Sequence, residues 1–155
     1  MNPILKKLGL KDQDPVLILN APEEYEEIMA GIEARIDTAI AGSYSFIQVF
    51  ATQLDVAKNL ARAVVDALTG DGHLWLCYPK GTSKKYKSDI NRTKAWEVFA
   101  PYEFEPVTQV AIDDDWSAMR FRRVEHIPTM KRKTAATATG QARIDAENPR
   151  RDKIC

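Results

Sequence analysis

Short apolar runs bounded by turn-forming residues recur along the chain and predict strands. The strong runs are residues 15–19, 45–50 and 73–78. None of them alternates with polar residues, so each predicts a strand that is buried on both faces of a sheet. A weaker alternating run at residues 36–40 suits an edge strand.

Helical spacing of apolar residues fills the gaps between these strands. Pro22 suits the first turn of a helix, and the glutamates that follow it favour a helix N-terminus. The strongest helix lies between residues 52 and 70, with Thr52 as its cap and Gly70 just past its end. Ser88 is predicted to cap a third helix that runs to about Ala100.

Two further strands, residues 106–112 and 116–124, flank Asp113-Asp114-Asp115 and predict a β-hairpin. Strands that alternate with helices imply parallel strand pairing with helices on both faces. The fold class predicted for this chain of 155 residues is therefore α/β. It is a three-layer, Rossmann-like fold with a mostly parallel sheet and a C-terminal antiparallel hairpin.

The pattern changes after Pro128, where bulky apolar residues become rare and residues 134–140 are low in complexity. We expect a single domain over residues 1–128 and a basic, largely disordered tail over residues 129–155. The formal net charge is zero, from 22 basic and 22 acidic residues. Removing the tail's 7 basic and 3 acidic residues leaves 15 and 19, so the domain carries −4 and the tail +4. An acidic domain argues against a nucleic-acid surface, except for weak contact through the tail.

Several segments together resemble one family. They are Leu17–Glu23, Trp75–Lys80, Ser88-Asp89 and Ile112–Arg122. They are similar to an uncharacterised bacterial domain family of unknown function, over about residues 5–125. The resemblance implies a small α/β fold akin to a reduced class I, S-adenosylmethionine-dependent methyltransferase. It carries no established activity, substrate or catalytic residue.

The turn after the first strand lacks the usual features of a cofactor site. Dinucleotide and S-adenosylmethionine sites need a glycine-rich turn there, so that backbone N–H groups can approach the ligand. Residues 20–24 contain no glycine, Pro22 has no N–H, and nearby glutamates would repel a phosphate. The cofactor therefore stays unknown, and no metal site is predicted.

Two charged segments offer candidate binding groups. The lysine loop, residues 80–87, carries four lysines and precedes Ser88, so it could hold an anion together with helix N–H groups. The alternative is a solvated charged loop. The acidic turn, residues 113–115, could line a pocket, or its carboxylates could simply stabilise the turn.

Topology predicts that these segments meet. Asn20, Lys80 and Asp113 each follow a strand that should be parallel, and the carboxyl ends of parallel strands share one edge. Trp116 could wall a pocket at this edge. The candidate ligand-binding residues are Asn20, Lys80, Ser83, Ser88, Asp113, Trp116, Ser117 and Arg120. The alternative is a charge-paired cluster of loops that binds nothing.

No catalytic set is visible in the sequence. His73 and His126 are not spaced for zinc, and Cys77 lies inside a strand. We therefore expect a non-catalytic module that binds a small, anionic ligand or a protein partner at the carboxyl edge of its sheet. The alternative is a diverged methyltransferase-like enzyme. Two cysteines and the lack of a long apolar window favour the cytoplasm and no membrane contact.

Overall fold

The computed structural model describes residues 2–130 and 134–147. Its centre is a six-stranded sheet with the order β2-β1-β3-β4-β6-β5. The strands are β1 Val16–Leu19, β2 Ile36–Asp37, β3 Tyr44–Phe50, β4 Leu68–Pro79, β5 Phe104–Ala111 and β6 Trp116–Arg123. β1 to β4 pair in parallel, β6 is antiparallel to β4, and β5 is antiparallel to β6. β5 therefore runs in the same direction as β1 to β4, and the predicted α/β fold class is confirmed.

The helices are short apart from α3 and α5. They are α1 Pro3–Lys7, α2 Glu26–Met29, α3 Leu54–Ala67, α4 Trp96–Phe99 and α5 Ala138–Glu147. Single 3₁₀ turns cover Glu23–Tyr25, Ala100–Tyr102 and Val124–His126. No helix in the described part of the chain is long and apolar enough to cross a membrane.

Each central strand buries both of its faces. Along β3, Ile47 and Val49 pack on one side with α3 and α4. Phe46 and Phe50 pack on the other side with α1 and with Tyr25. The unbroken apolar runs of the sequence arise from this three-layer arrangement, because neither face of these strands meets water.

The N-terminus of α3 is capped by a residue from a distant segment. Thr52, the predicted cap, does not cap the helix. The N–H of Leu54 instead donates to Oδ1 of Asp89 at 2.7 Å. Ser88 donates its hydroxyl proton to the carbonyl oxygen of Thr52 at 2.6 Å. Ser88 therefore ties its loop to the end of β3, whereas the sequence predicted that it caps a helix.

The helix predicted over residues 88–100 is wrong over most of its length, since only Trp96–Phe99 is α-helical. Asn91 accepts the N–H of Lys94 with its side chain at 2.8 Å and the N–H of Ala95 with its backbone carbonyl at 2.9 Å, so helical pairing begins after Asn91 and not at Ser88. Gly70 also differs from expectation. α3 ends at Ala67 and leads directly into β4, where Gly70 has a φ of 51°.

The segment predicted to be disordered contains a helix in its described part. Small residues allow close packing here: a Cβ on Gly140 would lie 2.4 Å from a carboxylate oxygen of Glu105. The Glu105 side chain is fully buried and accepts N–H bonds from Ala136 and Thr137, both at 2.8 Å. Ile144 is buried in the same region. The basic residues of the tail at 131–133, 150, 151 and 153 lie outside the described part of the chain.

Replacing Asp89 by alanine should lower the free energy of unfolding by about 1 kcal/mol, because the first N–H of α3, that of Leu54, then loses its side-chain acceptor. Asp89→Asn keeps an acceptor and should lose less. Urea unfolding measures both. The exposed Asp114→Ala is the matched control and should stay within about 0.5 kcal/mol of wild type. Equal stabilities of Asp89→Ala and Asp114→Ala would contradict the capping role.

Candidate functional site

The order of the sheet reverses between β1 and β3. β2 lies on one side of β1 and β3 on the other, so the chain switches direction across the sheet at this point. In open α/β sheets the ligand crevice lies outside the carboxyl ends of the strands at such a switch point. Asn20 follows β1 here, exposed to solvent and in the left-handed region with a φ of 58°.

One carboxylate joins three segments at this edge. Oε1 of Glu24 accepts the phenol proton of Tyr86 at 2.5 Å and the indole N–H of Trp116 at 3.1 Å. Its Oε2 lies 3.3 Å from the ammonium of Lys85. Glu24 follows β1, Tyr86 belongs to the lysine loop and Trp116 begins β6, so the carboxylate fixes all three relative to one another.

An aromatic cluster fills the space that this carboxylate spans. Trp116 is only 3% exposed and packs edge-on against Phe50, with ring centres 5.3 Å apart. Tyr86 contacts the other side of the indole at 4.9 Å, and Tyr25 contacts Phe50 at 4.8 Å. Trp116 pairs with Pro79 at the end of β4, so its ring extends past β3 towards the segment after β1. We call Tyr86 and Trp116 the aromatic lid.

A buried polar chain lies beneath this cluster. The phenol of Tyr25 donates to Oε1 of Gln48 at 2.9 Å, and Nε2 of Gln48 lies 3.6 Å from the sulfur of Cys77. Burial raises the pKa of the Cys77 thiol to about 12. The thiol therefore stays protonated at neutral pH and is a poor nucleophile.

The electrostatics of Glu24 match its contacts. The hydrogen bond from Tyr86 lowers the pKa of the Glu24 carboxyl from 4.5 to about 2. Lys85 also bonds to Glu24, and this bond is the main reason why the pKa of the Lys85 ammonium is raised. The ionised carboxylate is thus the form that holds the lid in place.

Hydrogen bonds connect the lysine loop to the acidic turn. The backbone N–H of Lys80 donates to the carbonyl of Asp115 at 2.8 Å, and the Ser83 hydroxyl donates to Oδ1 of Asp115 at 2.8 Å. Ser83 in turn accepts the N–H of Tyr86 at 3.1 Å. Oδ1 of Asp113 accepts the N–H groups of Asp115 and Trp116, both at 2.8 Å, and so stabilises the turn.

Some of the predicted site residues meet at this edge, and others lie elsewhere. Lys80, Ser83, Asp113 and Trp116 belong to one hydrogen-bonded group, and Asn20 ends its strand at the same edge. Ser88 lies at the same edge but outside this hydrogen-bonded group, and Ser117 and Arg120 do not join it either, as the following contacts show.

Ser88 is bonded to the end of β3, as described above. Ser117 faces the opposite side of the sheet from Trp116 because side chains alternate along a strand, and its hydroxyl accepts from Gln109 at 2.9 Å. Arg120 shares the face of Trp116 but lies four positions along β6. That spacing corresponds to roughly 13 Å.

Sequence reasoning missed the residues that close the edge. The pattern placed Glu24 at a helix N-terminus and Phe50 in a buried strand without linking them to this site, and it gave no role to Tyr86. The contacts of Glu24 span 62 and 92 positions of sequence, and no local pattern encodes them. The one available signal was topological: the loop that contains Tyr86 follows a parallel strand.

Comparison with solved structures supports the fold. A methyltransferase from Pyrococcus furiosus has a TM-score of 0.51 and 11% identity, and the match covers 77% of this chain and 79% of that one. The N-methyltransferase NodS from Bradyrhizobium japonicum WM9 matches with a TM-score of 0.44, 13% identity and coverages of 69% and 72%. At such identities the likeness shows the fold alone. The chain has a methyltransferase-like, Rossmann-type fold.

No family model matches the chain, and no curated protein matches it either. The resemblance to the uncharacterised bacterial domain family therefore stays a prediction.

Glu24→Gln should remove a pH-dependent part of the stability. The folded-state pKa of about 2 lies below the ordinary value of 4.5, so the ionised carboxylate stabilises the fold above pH 4.5. That contribution is lost as the pH falls from 4.5 towards 2. The difference in unfolding free energy between wild type and variant should be about 1–2 kcal/mol at neutral pH and shrink in acid.

Chemical denaturation from pH 7 to pH 3 measures this difference. Asp37 and Asp71 also have lowered pKa values, but they are common to both proteins and cancel in the comparison. Glu27→Gln, an exposed neighbour, is the control. A difference for Glu24→Gln that stays constant over this range would exclude the carboxylate as the group that holds the lid.

Proposed function

We propose that this protein is a non-catalytic module with a methyltransferase-like fold, which binds an anionic ligand or an acidic protein partner through its lysine loop. The observation that supports this most strongly is the aromatic lid. Tyr86 and Trp116 lie at the switch point of the sheet and are both held there by Glu24. With the usual cofactor position filled by these rings, the lysine side chains of the loop remain accessible to a ligand.

The residues at this edge do not fit an adenosyl cofactor. A cofactor at the switch point would displace the indole of Trp116, which is almost fully buried against Phe50. It would also separate Glu24 from two hydrogen-bond donors. The turn after β1 offers no glycine for close backbone approach, and Pro22 lacks an N–H there. Both the side chains and the backbone thus oppose the usual cofactor position.

The lysine loop leaves cationic groups accessible at this edge, beside the exposed carboxylates of Asp113 and Asp114. Lys84 and Lys87 are exposed, and Lys80 is partly so. None of the three ammonium groups forms an ion pair with a residue in the described ranges. Lys85 differs, since it pairs with Glu24 at 3.3 Å. Three unpaired ammonium groups on one hydrogen-bonded loop favour an anionic ligand or an acidic surface.

The second candidate is a diverged methyltransferase-like enzyme, which the fold itself favours. Asn20 has the left-handed backbone that glycine often supplies at such turns, so the geometry of the turn is retained without the glycine. In this alternative the lid would open before a cofactor binds.

Binding of S-adenosylhomocysteine separates these two candidates. Isothermal titration of the full chain should give no saturable binding with a dissociation constant below about 1 mM, because the lid occupies the site. Glu24→Gln, which weakens the lid, should not create high affinity, since the glycine-rich turn is also missing. Methyl transfer by wild type that is lost in Lys80→Ala would favour the enzyme and overturn the proposal.

Neutralising the lysine loop should weaken binding of anions at this edge. The variant Lys80→Ala/Lys84→Ala/Lys87→Ala is compared with Lys6→Ala/Lys7→Ala/Lys11→Ala, which removes equal charge from α1 and the loop before β1. A labelled hexaglutamate peptide probes the protein partner, and pyrophosphate probes the small ligand.

The loop variant should bind at least one probe roughly tenfold more weakly, and wild-type affinity should fall as salt is added. Equal affinities of the two triple variants, or no binding of either probe by wild type, would refute the role of the loop. The probe that binds more tightly decides between a protein partner and a small ligand.

A further inference from the structure

A second candidate site lies away from the carboxyl edge. A cavity of about 390 Å³ opens between the β5–β6 hairpin and the segment that follows β6. Its walls include Thr108 from β5, Arg120 and Arg122 from β6, and Ile127, Pro128 and Met130 from the following segment. This size is within the range of small-molecule pockets. The wall combines two guanidinium groups with an apolar surface.

Arg120 is the unusual residue of this cavity. Its Nε is buried and has no hydrogen-bond partner in the structure. Nor does its guanidinium form an ion pair within residues 2–130 and 134–147. A guanidinium does not lose its proton in proteins, so a charge without a direct partner among the described residues lies in a partly desolvated position.

The neighbouring charges are already satisfied. Arg122 donates to both carboxylate oxygens of Asp71, at 3.0 and 2.6 Å, and to the carbonyl of His126 at 2.9 Å. Glu105, which pairs with Arg122 across the hairpin, accepts bonds from the segment around Thr137. Asp71 is hydrogen-bonded to Arg122, so among the described residues Arg120 is left without an ion pair of its own.

We propose that this cavity binds a small organic oxyanion, a phosphate or a carboxylate attached to an apolar body. The fork of N–H donors on Arg120 suits two oxygens of such a group. Arg122, two positions along the same face of β6, lines the same wall, but its guanidinium is already held by Asp71. Ile127, Pro128 and Met130 would contact the apolar body of the ligand. This site is separate from the lysine loop and does not depend on its function.

The test uses phenyl phosphate and benzoate, which carry the same ring on the two kinds of oxyanion. Each is titrated by calorimetry into the full-length wild type, Arg120→Met and Arg62→Met. Methionine keeps most of the side-chain stem but removes the charge. Arg62 is exposed on α3 and provides the matched control.

Wild type should bind at least one compound saturably, Arg120→Met at least tenfold more weakly, and Arg62→Met like wild type. The more tightly bound compound identifies phosphate or carboxylate as the group recognised. Without ligand, Arg120→Met should melt at the same temperature as wild type or higher, because an unpaired charge has been removed. This measurement shows that the variant is folded when its affinity is compared.

In the ¹⁵N spectrum of wild type, the Nε–H signal of Arg120 should shift as the ligand saturates the site. Equal affinities of wild type and Arg120→Met would overturn the proposal, as would an equal loss in Arg62→Met. No saturable binding of either compound by wild type would overturn it too.

Discussion

The arrangement of the carboxyl edge depends on the carboxylate of Glu24. It accepts hydrogen bonds from Tyr86 and Trp116, which come from segments far apart in the sequence. Bonds to an ionised group are stronger than neutral ones, about 1.5–3 kcal/mol each in mutational series. Because the carboxylate is ionised throughout the neutral range, the contact between the three segments is kept over that range.

The lid in turn positions the rest of the loop. Beyond Tyr86 the chain reaches Ser88, which bonds to the end of β3, and Asp89, which caps α3. Between β4 and α4, Tyr86, Ser88 and Asp89 thus each bond to a different segment at this edge. These contacts hold Ser88 against Thr52 and Asp89 against Leu54, in a segment where the structure has no helix until Trp96. The loop that closes the crevice with Tyr86 therefore also stabilises α3 with Asp89, on the opposite face of the sheet.

The sequence predicted what depends on local pattern. Unbroken apolar runs identified the buried strands, and the Asp113 turn located the hairpin, because these signals repeat within a few residues. The shared edge of Asn20, Lys80 and Asp113 followed from strand direction alone. The predictions that failed depend on distant partners: Asp89 replaces Thr52 as a cap, and Glu105 packs against small residues near Gly140. Composition gave no sign of either partner.

Trp116 shows what strand direction can predict about a site at the carboxyl edge of the sheet: the position of a residue, but not its packing. The sequence placed it correctly beside the lysine loop, yet predicted a wall of an open pocket. The indole instead occupies the space, because Glu24 gives its N–H a partner and Phe50 gives its ring a contact surface. Lysines at the rim keep their ammonium groups in water, at little cost in free energy without a ligand. Arg120 is half-buried, and within the described residues its Nε–H has no acceptor, so the least satisfied cation of this part lies where the topology did not point.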